Sequence, residues 1–326
     1  MILFVTEQYA GAQYIHPLIT KWKEDNLNNI KYEIIAKGGS VKYFQENSIE
    51  FFNAENITVN YIKNYLKTKK IRLIILSASG ASIEALFISY AKYFGINTVS
   101  FIDTWTNYKN RFVHDGSKIY PNKILSIDSV CTKEMVQDGI PSKIIYEIGQ
   151  PYLEYICKHK PPIGDKILLP MQPVKKIEGN KFGYDEYSFL NTSLKAIDLV
   201  GMSKEVYISI HPSSKLDDYC KKINNCYKGD GVNDVKKAHT ILGMYSMQMI
   251  IGYLWERRVV SVQPCVKNYD PSPLSRWGLI PRVGNVKELA SLIKKPPIKE
   301  NLGEKMCKNI IGSVNRLDSF VRTYDD

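Results

Sequence analysis

The stretch Ile71-Arg72-Leu73-Ile74-Ile75-Leu76 runs through Ser77-Ala78-Ser79-Gly80-Ala81-Ser82 into Ile83–Phe94, and then into Asn97-Thr98-Val99-Ser100-Phe101-Ile102. Its two outer pieces are apolar nearly throughout, as strands buried on both faces are. Between them, a turn of small residues opens a segment whose apolar side chains recur at helical spacing. Strand, helix and strand in this order make a parallel crossover unit.

The same unit repeats on either side. Met1–Thr6 is an apolar strand, and Tyr14–Trp22 carries helical spacing after it. Tyr32–Ala36 breaks into Lys37-Gly38-Gly39-Ser40, and Ile124–Ser129 reads as a further strand. The alternation predicts an α/β fold, a doubly wound parallel sheet covered by helices on both faces. Around residues 151–165, Pro151, Pro161, Pro162 and Gly164 cluster with Lys158, His159 and Lys160, a composition that supports no regular element. The expected division is therefore an N-terminal domain over 1–157 and a C-terminal domain over 158–326.

Alternation resumes beyond it. Lys166–Leu169, Glu205–Ile210, Thr240–Leu242 and Val259–Val262 read as strands, and Tyr187–Val200 and Met247–Trp255 as helices. Two Rossmann-like domains facing a central cleft are expected, with Glu304–Arg322 a helical stretch that packs back across the junction. Composition agrees: 326 residues with 44% hydrophobic and 24% charged side chains suit two globular cores. No apolar run reaches the ~20 residues of a membrane span. The start, Met1-Ile2-Leu3-Phe4-Val5-Thr6, reads as a strand rather than a leader, so a cytoplasmic protein is expected.

The net charge of +11 admits nucleic acid, an anionic membrane or a phosphorylated ligand as partner. The excess is spread over both halves without an Arg-rich or aromatic-interleaved run, which argues against nucleic acid. A phosphorylated small molecule and peripheral association with an anionic membrane, such as its inner face, remain. The six cysteines form no CxxC pair, so reduced structural thiols are expected. No GxxxxGK[ST], GxGxxG after the first strand, or GxSxG occurs, against a P-loop NTPase, a dinucleotide dehydrogenase and an α/β-hydrolase. The absence of Asp-x-Asp leaves no metal clamp for a diphosphate, and neither metal nor cofactor is expected.

Ligands of open parallel sheets sit beyond the carboxyl ends of the strands. At one such end stand His211-Pro212-Ser213-Ser214-Lys215, with donors suited to a phosphate; at another, Gly243-Met244-Tyr245-Ser246 leads straight into a helix. Gln172, in Pro170-Met171-Gln172-Pro173, follows a third strand. Asp185 and Glu186 are open to binding a ribose or base, but read more simply as caps of the helix that starts beside them. In the first domain, Asp103 begins a loop that also carries Trp105, Asn107 and Arg111. Asp103 is the first candidate for a catalytic base, with Glu7 and His16 as alternatives. Trp105, Asn107 and Arg111 are candidates for binding an acceptor. A structural role for Asp103, as an N-cap or as a partner of Arg111, carries equal weight.

The order His211-Pro212, Gly243-Met244-Tyr245-Ser246, Val259–Pro264 resembles the donor half of GT-B glycosyltransferases, in particular the bacterial sialyltransferases that use CMP-activated sugars. That resemblance implies that His211, Pro212 and Ser246 hold the donor phosphate; Tyr245 stands where the family usually has a second small hydroxyl residue. Asp138-Gly139-Ile140-Pro141 and Ile148-Gly149-Gln150-Pro151 resemble the wider superfamily of the UDP-N-acetylglucosamine 2-epimerases. The leading expectation is thus a metal-independent glycosyltransferase that moves a sugar from a nucleotide donor to a surface glycan, lipid-linked or protein acceptor. A nucleotide-sugar epimerase or hydrolase, and a non-catalytic nucleotide-sugar-binding protein, are the alternatives.

Overall fold

A computed structural model describes the chain except for residues 28, 79, 81, 212–213, 215–224, 268, 296–301 and 325–326. Two compact units result, one formed by Met1–Tyr155 with Asn309–Asp326, the other by Ile156–Lys308.

Unit 1 is built on a seven-stranded parallel sheet: β1 (Ile2–Thr6), β2 (Tyr32–Ala36), β3 (Phe52–Asn53), β4 (Leu73–Ser77), β5 (Asn97–Phe101), β8 (Lys123–Ser126) and β9 (Ile145–Glu147). Their order across the sheet is β3-β2-β1-β4-β5-β8-β9. A small antiparallel hairpin, β6 (Val113–His114) with β7 (Ser117–Lys118), lies outside it. Strand side chains alternate between faces, and both faces are buried. Ile2 and Phe4 pack beneath α1 (Tyr9–Glu24), α2 (Gly39–Glu46) and the last helix; Leu3 and Val5 pack beneath α3 (Val59–Thr68) and α4 (Ser82–Tyr93). α5 (Ser129–Gln137) and α6 (Pro151–Lys158) complete the succession up to the boundary.

Unit 2 repeats the plan with six parallel strands: β10 (Lys166–Pro170), β11 (Val206–Ile210), β12 (Cys226–Lys228), β13 (Ala238–Gly243), β14 (Arg258–Val262) and β15 (Arg282–Val283). They are ordered β12-β11-β10-β13-β14-β15. Its described helices are α7 (Val174–Glu178), α8 (Glu186–Leu199), α9 (Val232–Lys236), α10 (Met247–Leu254), α11 (Pro273–Arg276), α12 (Val286–Lys294) and α13 (Leu302–Ile310), the last ending at the boundary. The final helix, α14 (Ser313–Arg322), belongs to unit 1. There Leu317 and Val321 enter the core beneath α1, and Asp318 accepts a 2.7 Å bond from the Trp22 indole.

Three sequence expectations need correction. The proline-bearing stretch from 151 is not irregular: Pro151 opens α6, a first-turn position that needs no N–H donor, and Gln150 Oε1 accepts from the Tyr152 and Leu153 amides. Glu304–Arg322 is not one helical stretch, because Gly312 at φ +89° breaks it into α13 and α14. The cysteines are not all reduced, since Cys157 and Cys307 form a disulfide. Cys131 is a free buried thiol, whose pKa burial pushes up to about 12. Among the described residues, no helix is long and apolar enough to cross a membrane.

Candidate functional site

In each sheet the strand order reverses once, between β1 and β4 in unit 1 and between β10 and β13 in unit 2, and such switch points are where open sheets hold ligands. In unit 2, Gln172 beyond β10 and Tyr245 beyond β13 meet there: Gln172 Oε1 accepts from the Tyr245 amide at 3.3 Å. Gly243 lets β13 end tightly, for an added Cβ would lie 2.7 Å from Met249 Sδ. Ser246 then caps α10, its Oγ accepting from the Gln248 amide at 3.2 Å, which leaves the hydroxyl proton to be donated outward. The half-buried Tyr245 ring stands edge-on to Phe182, 5.7 Å between centroids, so it packs on the core.

His211 ends β11 and is open to solvent, yet crowding by its neighbours pulls its pKa below the usual histidine value by desolvation. It is thus a neutral N–H donor near pH 7. Pro212, Ser213 and Lys215 lie outside the described residues. Beneath this edge, buried Asp234 accepts from Ser209 Oγ and the Asp230 amide, both at 2.7 Å, and so ties β11 to α9. Buried Gln263 donates to Asp270 Oδ1 at 2.6 Å while its Oε1 has no partner among the described residues. Sequence reasoning passed over both, although Asp234 stands in the turn-rich Asp230-Gly231-Val232-Asn233-Asp234. Asp185 does cap α8, with reciprocal bonds to Ser188, and Glu186 accepts from the Lys175 amide at 2.8 Å.

At the unit 1 switch point, the Ser77 hydroxyl lies 3.2 Å from that of Thr6 and donates to the Glu84 carboxylate. Glu84 is buried in the otherwise apolar first turns of α4, and that lone carboxylate was the overlooked signal. Ser77, Glu84, Ser100 and Arg111 line a cavity of about 10 Å³, room for one water rather than a sugar. Ser100 Oγ has no partner among the described residues.

The three catalytic candidates sit apart, with no hydrogen bond among them. Asp103 Oδ1 accepts from Arg111 Nη1 at 2.6 Å, and Arg111 also donates to the Ala78 carbonyl at 2.7 Å, so both are engaged in bracing the loop. Trp105 is fully buried and donates to Asp128 Oδ2 at 2.9 Å, which packs its ring faces inside unit 1. Exposed Asn107 accepts from Asn110 Nδ2 at 2.8 Å, its φ of +58° placing it in the left-handed region. His16 Nδ1 lies 2.7 Å from the Tyr43 hydroxyl, and burial lowers the imidazole pKa.

Glu7 differs. It directly follows β1, where the turn at Gly38, with φ +57°, folds over it and the Ser40 amide donates to its carbonyl at 3.2 Å. Lys37 Nζ stands 4.0 Å from Oε1, whereas Oε2 is buried without a hydrogen-bond partner among the described residues. Further along, Gly149-Gln150-Pro151 has a bracing role: the Gln150 amide donates to Ser313 Oγ and its side chain to the Asp103 carbonyl, both at 3.1 Å. No group of three His, Cys, Asp or Glu side chains among the described residues is placed to hold a metal ion.

Comparison with solved structures places this architecture. The UDP-N-acetylglucosamine 2-epimerase of Neisseria meningitidis bound to UDP-GlcNAc superposes with a TM-score of 0.67 at 12% identity, over 99% of this chain and 99% of that one. The fold is that of the UDP-N-acetylglucosamine 2-epimerases. S. aureus MnaA with UDP gives 0.67 at 12% identity, over 99% and 96% of the two chains. The Methanocaldococcus jannaschii epimerase with UDP-GlcNAc and UDP gives 0.63 at 13%, over 94% and 98%. No family model and no curated protein sequence matches. The expected glycosyltransferase is corrected by these neighbours, which are UDP-N-acetylglucosamine 2-epimerases. One fold hosts many chemistries, so short motifs at the strand ends had no power to separate the two classes.

Proposed function

We propose that this protein is an enzyme that binds a UDP-activated sugar and converts it without a second, acceptor substrate, as a nucleotide-sugar epimerase or hydrolase does. The likeness over almost the whole chain to epimerases solved with UDP or UDP-GlcNAc carries the reading. The strand ends of unit 2 support it chemically. As the bond between sugar and diphosphate breaks, negative charge grows on the leaving oxygen, and fixed donors aimed there lower the barrier. Ser246 Oγ–H, amides at the start of α10 and the neutral His211 N–H are suited to that task. A proton must also be held during conversion, and Glu7, of the candidate bases, keeps one buried oxygen without a hydrogen-bond partner among the described residues.

Purified protein incubated with UDP-GlcNAc alone, followed by proton NMR, should yield a new sugar species or free UDP, and UDP should raise the melting temperature where CMP does not. His211→Ala should weaken UDP binding by roughly tenfold, the worth of one good hydrogen bond to a phosphate. Unchanged UDP-GlcNAc together with no melting shift from UDP would refute the reading.

A further inference from the structure

Between Glu55 and Asp103 the chain carries six cationic side chains, Lys63, Lys67, Lys69, Lys70, Arg72 and Lys92, and one carboxylate, Glu84. Folding removes that carboxylate from the surface, because Glu84 is buried against Ser77. It leaves all five lysines exposed on or just after α3 and α4, which pack side by side over one face of the unit 1 sheet. Lys69 pairs with Glu33, and Arg72 donates to the Val321 carbonyl. No ion pair among the described residues engages Lys63, Lys67, Lys70 or Lys92.

Aromatic rings lie between these cations. Tyr93 is 81% exposed and Tyr61 40%, Phe52 stacks on Tyr61 at 5.3 Å, and Lys63 Nζ stands 5.0 Å over the Tyr90 ring. Tyrosine rings with an apolar body and a polar tip settle at the headgroup boundary of a bilayer. Lysine stems lie along such a surface and carry their ammonium groups to the phosphates. We propose that the α3–α4 face docks on an anionic phospholipid surface. A second copy of the chain is a poorer occupant, since a two-fold contact through this face would set ammonium against ammonium, and Glu33 is already taken up by Lys69.

The proposal is independent of the nucleotide-sugar reading and is tested without any nucleotide. The full chain is co-sedimented with phosphatidylcholine vesicles, with and without phosphatidylglycerol, at low and high salt. Binding is expected only with phosphatidylglycerol and only at low salt. At about fivefold per lysine, Lys67→Gln/Lys70→Gln/Lys92→Gln should lower the partition coefficient on the order of 100-fold with an unchanged melting curve. Tyr93→Ala, which removes no charge, should weaken binding without altering its salt dependence. Equal binding to neutral vesicles, wild-type partition by the triple variant, or a dimer in light scattering that the triple variant dissolves would each overturn it.

Discussion

Glu7 and Asp103 both follow strands of the unit 1 sheet, and what separates them is the company of their oxygens. Asp103 holds the Arg111 guanidinium at 2.6 Å, whereas Glu7 keeps one oxygen buried and uncommitted. A carboxylate that transfers a proton contributes roughly 10²–10⁴-fold to rate, so Glu7→Gln should lower kcat by about that factor in the NMR assay while UDP affinity and melting temperature hold. Equal activity would remove Glu7 from the chemistry. The pairing of Asp103 with Arg111 was legible eight residues apart in one loop. The state of Glu7 was not, because the turn at Gly38 that covers it is 31 residues away in sequence. His16 carries a pH prediction. Its pKa is lowered on folding, so the unfolded chain takes up the proton more readily, and its contribution to stability is present above the unfolded value of about 6.5 and lost as the pH falls below it. Urea midpoints should fall between pH 7.5 and 5.5, and His16→Gln should flatten that fall; an equally steep slope in the variant would place the effect elsewhere.

Apolar runs bounded by small residues located most of the longer strands to within a residue or two, since a strand buried on both faces has few alternatives. Helix ends were harder to read. Pro151 looked like a breaker, yet at the first position of α6 it is compatible with the helix; Gly312 did break one, through a left-handed backbone that spacing cannot reveal. Two-residue β3 and β15 are set by pairing with neighbours, which single-sequence patterns do not carry. Gly11 shows how closely an element is fitted. In the first turns of α1, an added Cβ would come within 2.1 Å of Thr6 Oγ1 and 2.8 Å of Ser77 Cβ, atoms of two short side chains held on buried strands rather than the far end of a long flexible chain. Gly11→Ala should therefore push α1 off the switch point and cost at least about 2 kcal/mol, despite the better helix propensity of alanine. Denaturant unfolding followed by tryptophan fluorescence, to which Trp22 on α1 contributes, measures this, and a neutral or stabilising result would mean that the helix start has room to shift.

At the scale of the whole molecule, the chain enters unit 2 at Ile156 and leaves it at Lys308, and Cys157 and Cys307 stand one residue inside these two points. Their disulfide closes nearly all of unit 2 into a single covalent loop with a sequence separation of 150. Spacing could not suggest this, since no local pattern joins two cysteines so far apart. A loop of that length restricts the unfolded chain strongly, by up to about 5 kcal/mol in the chain-entropy account, with 2–4 kcal/mol more typical of measured cases. The α/β core of unit 1 has no share in the constraint. Cys157→Ser/Cys307→Ser should then lower the unfolding midpoint of unit 2 and leave that of unit 1 in place, so that calorimetry resolves two transitions or widens their gap. The paired substitution is preferable to reductant, which would also break the bond made by Cys226. Should both transitions fall together, the two units unfold as one cooperative block, and the loop formed by Cys157 and Cys307 stabilises the whole chain rather than the unit it encloses.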